Sequence, residues 1–579
     1  MVSLFNALNI SSNALTVNES AISVVSHNVA NMNTEGYSKQ KVNLATRNIA
    51  GAIGDSTNAQ VRANGGVMIA NIMRYNDSYL NNYYRDQLSL LKGYEAELST
   101  LGDLAGIFDD LEGEGISGAL EDFYKAVNNL QEYPASSTAR INFIESAKTL
   151  TATMNAKSAQ LDELTSKALG DGESQELLEG SKIYHEFTVF NDKLEELAEV
   201  NRALQITQTG TLHANNLLDQ RDMILNDIAQ FVDINVEENA HNGSITLYIG
   251  NQVMVQGAEV KGELDIKTAK AYCEEYNRLN PDKPQLTYPD DWILKDENGN
   301  AILDEFGNTI PREAAVISIV TPSKDGESTP ILLDANSIIT TGSLGGLLHS
   351  GDAQAEGMNA GVAQKTLNTI AQAIATVFND INTQKGAYAI NPDDTGKLIA
   401  TSPDNFIFGQ AVQKIDPATG LPEVDAEGNP VYELAEPITA GNLSINEALL
   451  TEDGCWKLAC AFFEADENFD ENAVGNAQNV VNMLGTRNAK MTELGNMSIE
   501  DFYTNLLGKV AAGGSNAQAL VDTQKTVVDS IYDKILSNNS VDLNEELVDL
   551  VKYQTAYSAS AQVFNTCNSC LNTLMTLGG

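Results

Sequence analysis

The chain has 579 residues, with 79 acidic side chains against 35 basic ones and a formal net charge of −44, so nucleic-acid backbones and anionic membrane surfaces are repelled over most of the molecule. At 42% apolar and 20% charged residues it is globular rather than disordered, and its length predicts about three or four domains. No apolar run is long enough to span a bilayer, no Lys or Arg precedes Lys39 to form the cationic start of a secretory signal peptide, and five cysteines are too few and too unevenly placed for a disulfide framework.

The first predicted element is a helix. Leu4, Leu8, Ser11, Leu15, Asn18, Ile22, Val25 and Val29 are spaced alternately by four and three, the period of a coiled-coil seam. Two of its positions, Ser11 and Asn18, are polar. The run stops at "SHNVANMNTEGYSKQ", where Asn31, Asn33 and Thr34 favour turns and Gly36 accepts a positive φ. Further helices are predicted over Ile72 to Phe108, Ala119 to Leu164, and about Ser181 to Gln230. "DINVEENAHNGSITLYIG" then alternates apolar and polar residues around Asn242-Gly243, a hairpin signature that opens a β-rich region. "DENGNAILDEFGNTIP" and "DAEGNPVY" repeat an acidic-x-x-Gly-Asn turn. Between them Leu344 to Lys385 returns to helical periodicity. The last element is again a seam: Leu543, Leu547, Leu550, Gln554, Tyr557, Ala561, Phe564, Asn568, Leu571 and Met575 keep the four-three rhythm, with Asp542 as cap and Glu545 and Glu546 in the first turn. Apolar seams at both ends of one chain call for a partner, either each other or neighbouring subunits, because termini are ordinarily polar and frayed.

The predicted architecture is mainly α with β-rich insertions. Residues 1–64 and 520–579 form a terminal coiled-coil domain, and 65–267, 342–385 and 476–519 an α-rich domain. Residues 268–341 and 386–475 are two inserted β-rich regions that form outer domains.

"ANMNTEGYS", with Asn28, Ala30, Asn31, Thr34, Gly36 and Tyr37 as its motif residues, resembles the N-terminal motif of the rod, hook and hook-associated proteins of the bacterial flagellum. The C-terminal stretch from Val541 resembles their C-terminal helix. "NNLLDQRDMILNDIAQFVDINV", "GSLGGLL" and "ITAGNLSINEALL" are similar to the hook-associated, junction-forming members. The two insertions, roughly 268–341 and 386–437, carry no such likeness. The resemblance implies a structural adaptor at the junction of hook and filament. Its terminal helices pair and pack with neighbours into the inner tube, through Leu4, Leu8, Leu15, Ile22, Val25 and Val29 and through Leu543, Leu547, Leu550, Tyr557, Phe564, Leu571 and Met575. It further implies self-association into a ring, contact with hook protein and with hook-associated protein 3, and a cytoplasmic chaperone on the C-terminal helix. Export follows the flagellar type III route without a cleaved signal peptide, to an extracellular site. In that setting Ser11, Asn18, Gln554 and Asn568 act as register devices; the alternative is an imperfect surface helix. A second reading makes the insertions an adhesin or host-contact module carried on a helical frame.

Enzymatic readings fail on spacing. "HEFTV" starts at His185, but Val189 stands where a zinc-binding helix needs its second histidine. Cys567 and Cys570 lie near a helix C-terminus, away from the helix-start position that lowers a thiol pKa, so they are expected to be buried small residues. Asp296, Asn298 and Asn300 imitate a calcium loop without its glycine or closing glutamate. His27 has no second titratable group near it in sequence and is expected to pack or hydrogen-bond. No catalytic centre, metal or cofactor is predicted.

Overall fold

A computed structural model describes residues 2–46, 66–109, 115–170, 175–281, 315–321, 331–332, 339–353, 355, 357–415, 421–424, 430–451, 453–464 and 469–577. The calcium-loop imitation at Asp296 and the acidic turns of 296–311 and 425–429 lie outside these residues. The fold is mainly α with small antiparallel sheets, as the sequence predicts. The chain divides into two compact units: Met1–Tyr94, Tyr184–Gly345 and Val521–Gly579 make the first, and Glu95–Ile183 and Gly346–Leu520 the second.

In the first unit, helix α1 (Val2–Ala30) pairs with the last helix, α13 (Leu543–Leu577). Their contact widens at one end into a small core of Ala21, Val24, Val25, Val42 and Tyr553, with Ile22, Ile69, Ile72, Leu212 and Leu550 packed on it. Val42, Ile69 and Ile72 come from a hairpin of β1 (Gln40–Thr46) and β2 (Val67–Arg74), paired from Gln40↔Arg74 to Thr46↔Val67 with a register shift at Asn43/Leu44. Helix α2 therefore starts at Ser78, not at Ile72, and runs to Ile107. In this unit Arg85 of α2 bonds to Asn226 of α7 (Leu212–Ile228), whose first turn Thr211 caps through the Ala214 amide, and Lys193 of α6 (Lys182–Ile206) pairs with Asp227 of α7. The predicted hairpin follows: β3 (Asn235–Glu238) pairs with β4 (Ile245–Ile249), and β5 (Gln252–Gln256) and β6 (Glu259–Val260) complete the sheet. Asn201 pins it to α6, donating to the carbonyls of Ile245 and Gly257 and accepting from the Ile245 amide. A second sheet joins β7 (Glu263–Thr268), β8 (Ala315–Val320) and β9 (Ile331–Leu332), and helix α8 (Ala269–Leu279) opens the 268–341 insertion.

The second unit is organised around aromatic packing. Helices α3 (Gly115–Glu132), α4 (Ser137–Leu169) and α10 (Ala360–Thr383) bury Phe123, Phe143 and Phe378 against Phe408, with ring centroids 5.0 to 6.4 Å apart. Arg140 is 1% exposed in this core and donates to the carbonyls of Pro134, Cys455 and Leu458 at 2.8, 3.2 and 2.8 Å. Backbone acceptors thus replace a counter-ion and hold the 455–458 turn against α4. The 386–475 insertion contributes the sheet of β10 (Ala387–Asn391), β11 (Asp394–Ala400) and β14 (Ala461–Phe462), and the two-stranded β12 (Ala411–Gln413) and β13 (Tyr432–Leu434). Helices α5 (Gln175–Glu179) and α11 (Gln478–Gly485) belong here, while α2, α9 (Gly342–Ser350) and the long α12 (Ile499–Asn539) contribute residues to both units.

Candidate functional site

The opening motif folds into a hydrogen-bonded joint where α1 ends. Asn31 ends the helix by bonding both its backbone amide and its side-chain amide to the His27 carbonyl. Thr34 and Tyr37 amides close the next two turns, and Gly36 sits at φ +73° as the turn requires. Asn28 is 1% exposed, and all four of its hydrogen-bonding positions are filled. Its Nδ2 donates to the Gln40 carbonyl at 2.8 Å and to Glu546 Oε2 at 2.9 Å, while its Oδ1 accepts from the Gln40 amide at 3.1 Å and the Tyr37 hydroxyl at 2.6 Å. Only a carboxamide of this length offers two donors and two acceptors here, so the buried asparagine fixes three segments at once: α1, β1 and α13. His27 Nδ1 lies 3.0 Å from the Tyr37 hydroxyl, so this histidine hydrogen-bonds as expected. Burial, with the carboxylates of Asp219 and Glu546 nearby, pushes the Tyr37 phenol well above its ordinary range, which keeps it a donor.

A buried ion pair lies beside this hub. Lys39 contacts Glu545 at 2.6 Å and Glu546 at 3.3 Å, and Glu546 is 2% exposed. Burial works against the Lys39 charge, but the two carboxylates outweigh it and hold its pKa above the ordinary value. Asp542 caps α13 through the amides of Asn544 and Glu545. Behind the motif, Gln40 exchanges side-chain bonds with Asn215 and Asn216 of α7, both at 3.0 Å. Asp219 accepts from the Ser38 amide at 3.3 Å and pairs with Arg74 at 3.2 Å. Burial lifts its carboxyl to about 6 in spite of Arg74. Asp222 shows the opposite outcome: burial would raise it, but Arg221, Arg74 and Arg85 surround it and hold it far below the carboxylate range. Among the residues predicted for the site, Asn28, Asn31, Gly36 and Tyr37 meet in this joint, whereas Ala30 and Thr34 are exposed at its edge. Glu546, Lys39, Gln40, Arg74 and Asp219 are the residues sequence reading does not assign.

Along the paired helices, Val25 is buried and Leu4, Leu8, Leu15, Ile22 and Val29 are half-buried. On α13 the buried stripe is Glu546, Tyr553 and Cys567, with Leu550, Ala556, Ser560, Phe564 and Leu571 half-buried. Leu543, Leu547, Tyr557 and Met575 are 40%, 47%, 38% and 75% exposed. The buried line is thus displaced by one residue at Leu547, Gln554, Tyr557 and Asn568 of the predicted seam, and follows it at Leu550, Ala561, Phe564 and Leu571. Cys570 is exposed, three residues on from buried Cys567 and off the stripe. Ser11 and Asn18 bond back to the carbonyls of Ala7 and Ala14, four residues earlier in α1, and Gln554 and Asn568 are exposed. Within this chain the Ser11 and Asn18 side chains bond along their own helix, and a bond that crosses from α1 to α13 runs from Asn28 to Glu546.

Comparison with known proteins places these features. Residues 8–37 match the model of the flagella basal body rod protein, 101–283 that of the flagellar hook-associated protein FlgK helical domain, and 534–577 that of the flagellar basal body rod FlgEFG protein C-terminal domain. The chain is similar from end to end to proteins named flagellar hook-associated protein 1. It is 23% identical to the one from Bacillus subtilis (strain 168), with 100% of both chains covered, 23% identical to that of Salmonella typhimurium, and 22% identical to that of Escherichia coli (strain K12), the last two with 98% of this chain and 99% of theirs covered. The fold is similar to that of the flagellar hook junction protein FlgK from Burkholderia pseudomallei, with a TM-score of 0.51 at 13% identity, over 80% of this chain and all of that one. No helix among the described residues is long and apolar enough to cross a membrane.

Proposed function

Proceeding from this full-length resemblance to flagellar hook-associated protein 1, we propose that the chain is a structural subunit of the flagellar hook-filament junction that assembles through its two terminal helices. One observation carries the reading: the α1/α13 pair satisfies its buried polar groups internally and still leaves apolar side chains outward. Leu547, Val548, Val551, Leu574 and Met575 of α13 are 47% to 75% exposed, and Phe5 of α1 is 52% exposed. Leu547, Val548 and Val551 stand within about 100° of one another on α13, and apolar side chains grouped in this way on a subunit's surface mark an interaction surface. In this reading 1–64 and 520–579 form the inner tube of a ring, 65–267, 342–385 and 476–519 surround it, and hook protein and hook-associated protein 3 lie on either side. Before assembly the same face of α13 is an aggregation hazard, which a cytoplasmic chaperone covers during type III export. The 386–475 insertion supports an added contact role, because Val412, Ile415, Leu421 and Val424 are 42% to 65% exposed.

The test is the double variant Leu547→Asp/Val551→Asp in the full chain. Both residues are exposed in the isolated subunit, so its thermal unfolding stays as in wild type, while cells carrying it shed filament subunits and lose motility. Normal swimming with the folded variant present at the wild-type level would sink the proposal.

A further inference from the structure

The second unit holds a cavity of about 200 Å³ between α2, the end of α9 and the loop after it, and α12. Its walls are largely apolar, with Leu101 and Ala517 buried and Met358 half-buried, and Leu520 sits at the rim. Of the polar side chains in the wall, Thr100, Ser350 and Asn359 are engaged with local backbone. Thr100 donates to the Ala96 carbonyl, Ser350 to the Leu347 carbonyl, and Asn359 donates to the carbonyls of His349 and Asp352 while accepting from the Val362 amide. The half-buried carboxylate of Glu97 differs: burial pushes its pKa up, against a smaller opposing influence of the His349 ring at the exposed rim.

We infer that this cavity is a binding site for an alkylammonium group, with the Glu97 carboxylate holding the cation and the apolar walls holding the chain. An anion is repelled by Glu97. A divalent metal finds one carboxylate and one imidazole where it needs several oxygen ligands, and no cluster of three such side chains occurs among the described residues. At about 30 Å³ per water, the space holds roughly six or seven waters, which matches a four- or five-carbon amine. The net charge of −44 raises the local concentration of any cation. The ammonium has two possible sources, a free amine or a lysine side chain of a second copy of this chain. The inference is independent of the assembly reading above.

The experiment uses the full chain with ¹³C-methyl methionine, following the Met358 methyl at low salt while n-pentylammonium or n-pentanol is added. A saturable shift with the amine is expected, at least tenfold weaker with pentanol and at least tenfold weaker in Glu97→Gln, whose other methionine signals remain in place. Absence of a saturable shift in the wild type, or an equal affinity in Glu97→Gln, would overturn the site. Sedimentation of the chain with and without saturating amine separates the sources. Lost self-association supports a lysine from a second copy, and unchanged self-association supports a free amine.

Discussion

Replacing Asn28 by aspartate changes the side-chain nitrogen to an oxygen and tests the joint at its centre. The side chain keeps its shape and its two acceptor contacts, but the Nδ2 that faces Glu546 Oε2 at 2.9 Å and the Gln40 carbonyl at 2.8 Å is lost as a donor. Two carboxylates at about 4 Å repel by about 4 kcal/mol at the effective dielectric of about 20 that suits protein sites. Protonating the new group at pH 7 instead costs about 4 kcal/mol, roughly three pK units above its ordinary value at about 1.4 each. Lys39, 3.3 Å from Glu546, offsets part of either term, and the lost hydrogen bond adds about 1 kcal/mol. The expected loss is therefore about 3–5 kcal/mol at pH 7. Facing Glu546, the introduced carboxyl has its folded pKa raised above the unfolded value, so the variant stands near wild type below about pH 4 and falls away as pH rises through the folded value. Asn28→Ala lacks the titration and is weakened equally at both pH values. Hydrogen exchange reads this directly: in Asn28→Asp the Gln40 amide and the first turns of α13 lose about two to four powers of ten in protection at pH 7, and much less at pH 4. Wild-type protection at pH 7, or a loss independent of pH, would refute the assignment of Asn28 as the donor to Glu546.

Three further substitutions probe the surroundings. Gly36→Val forces a β-branched residue to φ +73° and brings its Cβ into collision with Met223 Sδ; a loss of about 1–3 kcal/mol in denaturant unfolding is expected, partly recovered by adding Met223→Ala. Asp219 has a folded pKa of about 6 against an ordinary 3.8, so the stability tied to its protonated form is complete below about pH 4 and is lost as pH rises through 6. Asp219→Asn should flatten the stability profile between pH 4 and 6, and an unchanged slope there would count against it. Glu546→Ala strips Lys39 and Asn28 of a buried partner and should cost about 3–5 kcal/mol. Adding Lys39→Met should recover part of that loss, and strict additivity in the double-mutant cycle would deny the pairing.

The sequence makes the helices legible because their cause is local. Four-three spacing marks α1 and α13, Asn242-Gly243 marks the β3/β4 turn, and Gly36 marks the exit from α1. The β1/β2 hairpin escapes such reading because its strands are separated by the twenty residues 47–66 rather than a two-residue turn, so no short-range signal joins Val42 to Ile72. The joint is half legible for the same reason. Asn28, Gly36 and Tyr37 stand in one short motif, whereas Glu546 lies 518 residues away and Asp219 lies on α7. An acidic residue in a first helical turn reads as a dipole partner, and nothing in its own neighbourhood tells that this one is buried against Asn28 and Lys39.

The displaced stripe of α13 follows from the size of what it meets. Opposite it, α1 offers small or polar buried residues, Ser11, Asn18 and Ala21, beside Val17, Val24 and Val25. Small side chains on one helix leave room for large ones on the other, and Tyr553 fills that room in the core with Ala21, Val24 and Val25. Turning Tyr553 and Glu546 inward rotates Leu547 and Gln554 outward, since neighbours in sequence stand about 100° apart on a helix. Periodicity cannot separate the two phases, because a four-three pattern shifted by one residue at some of its positions keeps the same mean repeat. The choice is made by Glu546, whose carboxylate must reach Asn28 and Lys39. That polar anchor directs Leu543, Leu547 and Met575 away from α1, and it is the resulting outward apolar face that the proposed ring would cover.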